Sequence, residues 1–150
     1  MLGSKRDGAL LAHLAPNRHV EANFAGNRTL ARADSSPLRL AVLAAVRLHA
    51  SAATASLGGA PVVFSGEIGH FETAIPSADR PVELQFRLPG APWSEFWTVQ
   101  TDAHGHFRYA YSFSDDDSRG VRFQFRAYAP SQPNWPCEPA ASRPVAVTGR

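Results

Sequence analysis

The sequence predicts an all-β fold, an antiparallel sandwich of about seven strands, and three observations predict it. Apolar and polar residues alternate with a period of two in one segment after another. Twelve prolines and eleven glycines are spread through 150 residues, which calls for short elements joined by turns. Nine phenylalanines, three tryptophans and three tyrosines, in a composition that is 44% apolar, supply large rings for a core between two sheets.

Taken in order, Val46, Leu48 and Ala50 alternate with Arg47 and His49, and "PVVFSGEI" (61–68) reads as a half-buried strand ended by Gly69. Val82, Leu84, Phe86 and Leu88 face one way, and Glu83, Gln85 and Arg87 the other. Trp97 and Val99 continue the scheme. Phe107, Tyr109, Tyr111 and Phe113 oppose His106, Arg108, Ala110 and Ser112, and Val121, Phe123, Phe125 and Ala127 oppose Arg122, Gln124 and Arg126. Val145 and Val147 form the last strand. Such strands place one face of each sheet on the core and the other in water. Trp97, Phe107, Phe123 and Phe125 are the expected centre of that core. Only "GALLAHL" (8–14) has a helical pattern.

The spacing divides the chain into a sandwich over 45–150 and a partial repeat over 1–44, the terminal β-hairpin of a preceding domain. "HVEANFAGNRTLARADSSPLRLAV" runs strand, turn, loop, Ser-Pro, strand, and "VRFQFRAYAPSQPNWPCEPAASRPVAV" runs through the same order. Val20, Ala22 and Phe24 correspond in type to Phe123, Phe125 and Ala127, and Ser36-Pro37-Leu38-Arg39-Leu40 to "SRPVAV". An isolated hairpin is marginally stable in water, so 1–44 is expected to be the loosest part of the molecule unless it packs on the sandwich.

Charge and cysteine content narrow the functional classes. Residues 1–50 carry seven Lys/Arg against three Asp/Glu, and 51–150 carry eight against ten, a net of +4 and −2. A near-neutral main domain lacks the clustered cations of a nucleic-acid footprint. Fourteen of the fifteen basic residues are arginine. The one cysteine, Cys137 in "NWPCEP", excludes an internal disulfide and a thiolate zinc cluster, and reads as a loop thiol packed beside Trp135. No segment approaches the ~18 apolar residues of a membrane-spanning helix. The start, "MLGSKRDGALLAHLAPNRH", is a poor secretory signal because its apolar run breaks at His13 and Pro16. Residues 38–55 mimic one, but Arg47 interrupts them and strand alternation explains them better.

The stretch with most chemistry in it is "TDAHGHF" (101–107), an aspartate and two histidines within five positions. It reads as a β-turn: Asp102 accepts backbone N–H groups, Gly105 supplies a positive φ, and Phe107 enters the core. His104 falls at the tip and His106 on the wet face, with no third ligand to make a metal site. "SDDDSRG" (114–120) lacks the alternating oxygens and closing glutamate of an EF-hand loop and reads as a solvated connection. No nucleophile elbow, catalytic signature or phosphate-binding glycine loop is present, so the expectation is a protein that is not an enzyme and uses no cofactor. Trp93 and Trp135 lie in proline-rich loops. They are the candidate binding residues if the domain stacks its aromatics on a sugar, and end caps of the sandwich otherwise.

The glycine of Ser65-Gly66, then "VELQFR", then W-x-V-x-T-D-x-x-G-x-F-x-Y from Trp97 to Tyr109, then F-x-F-R-A and S-R-P-V-x-V, together resemble a bacterial immunoglobulin-like repeat. The nearest kin are the transthyretin-like and carboxypeptidase-regulatory-like sandwiches of secreted and surface proteins. The resemblance covers about 45–150 as one repeat and 17–44 as the tail of another. It implies a non-catalytic spacer or adhesion module of an extracellular or cell-envelope protein, with protein or glycan partners. A carbohydrate-binding module using Trp93 and Trp135 is the alternative it leaves open.

Overall fold

The computed structural model describes residues 17–69, 78–135 and 137–150; the 8–14 segment read as helical lies outside them. The described residues begin with a hairpin made of four short strands, β1 (Arg18–Val20), β2 (Asn23–Phe24), β3 (Ala33–Asp34) and β4 (Leu38–Leu40). Nine strands follow: β5 (Val46–Ala50), β6 (Thr54–Ala55), β7 (Val62–Ile68), β8 (Pro81–Arg87), β9 (Ser94–Gln100), β10 (His106–Tyr111), β11 (Arg122–Ala129), β12 (Ala140–Ala141) and β13 (Val145–Gly149). Seven of the nine are five residues or longer, and they fall where the alternation places strands.

These strands form an all-β sandwich of two sheets. The small sheet has the order β10-β7-β5 and is antiparallel throughout. The large sheet has the order β6-β13-β11-β8-β9, with β12 beside β11, and is antiparallel except where β6 pairs with β13. The first strand of the sandwich is therefore shared: β5 belongs to the small sheet, and after Ser51-Ala52-Ala53 the chain enters the large sheet as β6. Ser51 fixes the crossing, since its N–H donates to the Val63 carbonyl and its hydroxyl accepts the Val63 N–H, both at 2.9 Å.

Inward-facing residues of both sheets meet in two adjoining clusters. One gathers Ile68, Val82, Leu84, Val99, Phe107 and Ala127. The other is aromatic, and Phe125 is its hub, with Phe64, Phe86, Phe96, Tyr111, Phe113 and Phe123 around it at centroid distances of 4.6 to 6.5 Å. Phe107 packs over Gly66, its register partner in β7. A Cβ at Gly66 would collide with Cζ of Phe107 and the carbonyl oxygen of Arg47, so a mid-strand residue that weakens sheet propensity is here the one that fits.

Phe107 and Phe125 are buried and Phe123 is half-buried, as expected of core residues, but Trp97 corrects the expectation. It is 51% exposed. It lies on β9, the edge strand of the large sheet, next to a β-bulge: Trp97 pairs with Leu84 while Glu95 pairs with the next residue, Gln85, leaving Phe96 as an extra residue. Phe96 turns into the aromatic cluster, and Trp97 closes the edge of the sandwich, stacked on Tyr109 at 5.2 Å. Strict alternation cannot anticipate an inserted residue that shifts the inward position by one.

The hairpin reproduces the last hairpin of the sandwich pair by pair. Val20 opposes Leu38 as Phe125 opposes Val145, and Arg18 opposes Leu40 as Phe123 opposes Val147. Asn23 opposes Asp34 as Tyr128 opposes Ala141, and Phe24 opposes Ala33 as Ala129 opposes Ala140. Between the two halves lies the same clip. The N–H of Ala22 donates to Ser35 Oγ (2.9 Å) and Ser35 N–H to the Ala22 carbonyl (2.9 Å); Ala127 and Ser142 repeat both bonds at 3.0 and 2.8 Å. The pairing differs from the sequence correspondence by two residues in the first strand: Val20 stands as Phe125 does, not Phe123, and Ser35, not Ser36, stands as Ser142 does.

Residue burial sets a graded expectation for stability. Phe107→Ala and Phe96→Ala remove rings from between the sheets and should cost roughly 3–5 kcal/mol, enough to unfold much of the protein. Trp97→Ala should cost about 1 kcal/mol, the worth of an edge stacking pair, and His106→Ala within roughly half a kcal/mol. Urea midpoints of the four variants check the order; greater damage from Trp97→Ala than from Phe96→Ala would refute the bulge.

Candidate functional site

The turn at 101–107 forms as the sequence reading describes, and each bond follows from one carboxylate and one glycine. Asp102 Oδ1 accepts the N–H groups of His104 (2.8 Å) and His106 (2.9 Å). The Asp102 N–H donates to the His106 carbonyl, Gly105 N–H returns to the Asp102 carbonyl, and Gly105 has φ +80°. The His106 N–H does most to hold the Asp102 carboxyl below the ordinary aspartate range; desolvation opposes it, and the His104 N–H adds to the lowering.

That turn borders a groove of about 870 Å³ on the outer face of the small sheet. Its walls are two cross-strand rows. In one, Arg47 of β5, Glu67 of β7 and His106 of β10 lie side by side; in the next, His49, Ser65 and Arg108 do. Side chains able to pair follow one another along the first row. Arg47 Nη1 lies 2.9 Å from Glu67 Oε1, Glu67 Oε2 lies 3.9 Å from His106 Nε2, and His106 Nδ1 lies 3.7 Å from Asp102 Oδ2. These side chains are largely exposed, so each pairing contributes at most about 1 kcal/mol.

His104 lies outside the groove lining, its ring 6.1 Å from that of His106. Among the described residues, no three His, Cys, Asp or Glu side chains converge as metal ligands would. The acidic stretch 114–120 holds a single 3₁₀ turn, Asp116–Ser118, with no buried residue.

The structure separates the two loop tryptophans. Trp135 is 7% exposed and belongs to the core, with the Arg80 guanidinium 5.0 Å from its ring centre. Trp93 is half-buried between Arg87 and Arg126. Arg80 immediately precedes β8 and Arg87 ends it, so the indoles sit at opposite ends of one strand, roughly 23 Å apart at ~3.3 Å per residue. They do not form one platform, and the buried ring is closed to a sugar.

Sequence reasoning missed the grouping of Trp93 with Arg87 and Arg126. The alternation does put both arginines on the outer face of the large sheet, but the loop that lays the indole against them is invisible to it. It also missed Glu138. The Glu138 carboxylate Oε1 accepts from Asn17 Nδ2 (3.0 Å) and Arg39 Nη2 (2.7 Å), while its backbone bonds the chain at Val42 and Ala44. One residue thus fastens the hairpin to the sandwich. Its neighbour Cys137 is buried beside Trp135, and burial, followed by the nearby Glu138 charge, pushes its thiol pKa up.

The chain matches no family model, and no curated protein matches it. No helix among the described residues is long and apolar enough to cross a membrane.

Two measurements follow from these titrations. Folding favours the ionised form of Asp102, so its contribution is present above the ordinary aspartate value of about 3.9 and fades as pH falls through the lower folded value. Asp102→Asn keeps an acceptor but not the charge, so its melting-temperature deficit at pH 7 should shrink by pH 3. A deficit independent of pH would contradict the assignment. Cys137, protonated and covered at neutral pH, should resist alkylation at pH 7.5 until denaturant is added; stoichiometric labelling of the native protein would show that the thiol is open.

Proposed function

We propose that the chain is a non-catalytic spacer or adhesion-type repeat of the immunoglobulin-like kind, working in series with like modules in an extracellular or surface protein. The observation that carries this reading is the duplicated hairpin. Residues 18–40 repeat the pairing of β11 with β12 and β13 down to the Ala–Ser clip, as the closing hairpin of a second sandwich would. The strand order supports it too: β5, β7 and β10 facing β8, β11 and β13 corresponds to the A-B-E and C-F-G sets of an immunoglobulin domain. The five residues 41–45 between β4 and β5, clamped by Glu138, supply a short joint of the kind a stiff array needs.

The polar row in the groove fits a presented surface better than a reaction centre, since its histidine already lies between two carboxylates. The carbohydrate-binding alternative retains Trp93 as its half-exposed indole.

NMR relaxation on the whole chain tests the serial arrangement. The hairpin amides should tumble with the sandwich, and Glu138→Ala should free them while the sandwich still melts cooperatively. A hairpin that already moves independently in the unaltered chain would be a loose tail, and the spacer reading would be lost.

A further inference from the structure

The outer face of the large sheet presents two cations that no acidic side chain among the described residues pairs with. Arg87 ends β8, and Arg126 lies diagonally across from it on β11. Arg87 Nε donates to Gln124 Oε1 at 2.7 Å, and Arg126 Nε to Gln85 Oε1 at 2.8 Å. Both guanidinium carbons lie against one indole, 4.5 and 4.3 Å from the ring centre of Trp93. The acids on this face are engaged elsewhere: Glu83 accepts from Gln85 Nε2, and Glu95 from the Thr98 hydroxyl. No ion pair among the described residues includes Arg87 or Arg126. Burial, and then the like charge of Arg87, makes Arg126 a weaker base than an ordinary arginine.

We propose that Arg87 and Arg126, held on Trp93, form a binding site for the carboxylate or sulfate groups of an acidic glycan. Each guanidinium commits only its Nε–H to the sheet and keeps its terminal N–H groups, the fork that matches a carboxylate or sulfate. The glutamines and the indole already restrict both side chains, so binding forfeits little rotamer freedom. An anion here also relieves the repulsion between the two cations.

Charge density selects the partner. A nucleic acid carries a phosphate every ~3.4 Å along each strand and needs a broad basic face. This face has Glu83 and Glu95 beside its arginines, in a region (51–150) with ten acidic residues against eight basic. A polysaccharide with sparse charges and many hydroxyls fits better, and the Gln124 amide and Tyr128 hydroxyl lie along the same strand to bond the hydroxyls. The site does not depend on the spacer reading, and it stands or falls by ligand binding alone.

The test uses the full chain and four probes: a galacturonate oligosaccharide, a sulfated oligosaccharide, a neutral oligosaccharide of equal length, and a single-stranded oligonucleotide. Titrations followed by amide and Arg Nε–H shifts should move Trp93, Arg87 and Arg126 with at least one acidic oligosaccharide, and not with the neutral one. Which acidic probe wins tells carboxylate from sulfate. Arg126→Met and Arg87→Met, which keep the packed stem, should each weaken binding about tenfold, whereas Arg28→Met in the hairpin should not. Arg126→Lys, with the charge but not the fork, should fall between. The proposal is overturned if neither acidic probe binds, if the neutral probe binds as well, if the methionine variants bind unchanged, or if the oligonucleotide binds tightest.

Discussion

The ring of Phe125 resting on that of Phe64, centroids 4.6 Å apart, is the interaction on which the rest of the sandwich depends. Each ring comes from a central strand of its own sheet, so the pair joins the two layers at the middle. With a single cysteine, no internal disulfide can tie the sheets together. Burial of rings does so, at roughly 1.5–3 kcal/mol of transfer free energy for each phenylalanine fully removed from water. Phe86, Phe96, Phe113 and Tyr111 complete the cluster from three further strands and a loop, mostly edge-on, the orientation that sets ring edges against ring faces. Register, the bulge in β9 and the crossing between β5 and β6 all serve to deliver those rings to that space.

Much of this was legible in the sequence, because strand alternation is a direct image of a sheet with one dry face. Val82, Leu84, Phe107, Phe125 and Val147 announce themselves by their polar neighbours, and the structure buries all five. The turn at Asp102 was legible too, since a short acceptor two residues before histidine and three before glycine leaves the backbone one economical path. Phe96 and Trp97 were not, because a bulge adds a residue without any local mark in composition. For Trp135 the sequence left two readings open, an end cap or a ring exposed in a proline-rich loop, and the loop folds its indole into the core under Arg80. Clusters assembled from distant strands and loops, such as Trp93 with its two arginines, have no spacing to read.

The hairpin shows how the same pairing scheme tolerates different surroundings. Where Phe123 and Phe125 meet the core, the equivalent positions hold Arg18 and Val20. Phe24, Leu30 and Leu38 remain at 41%, 60% and 62% exposure, far more than the apolar residues of β11 and β13. What holds the hairpin is therefore polar and local. The Ser35 clip and the Asn27 side chain, which accepts the N–H groups of Thr29 and Leu30, shape it, and Glu138 anchors it. The division of labour is clear: apolar burial makes the sandwich, and hydrogen bonds position the arm.

The short parallel pairing of β6 with β13 gives the molecule a mechanical character. Thr148 lies beside Thr54 and Gly149 beside Ala55, and the bonds from Thr148 to Ala53, from Arg150 to Ala55 and from Leu57 to Arg150 run in one series. Because the two strands point the same way, tension applied between the hairpin and Arg150 drags them past each other lengthwise. The bonds then share the load and must fail together, whereas an antiparallel pair pulled from its open end would unzip bond by bond. Resistance to stretch is thus built into the strand that changes sheets.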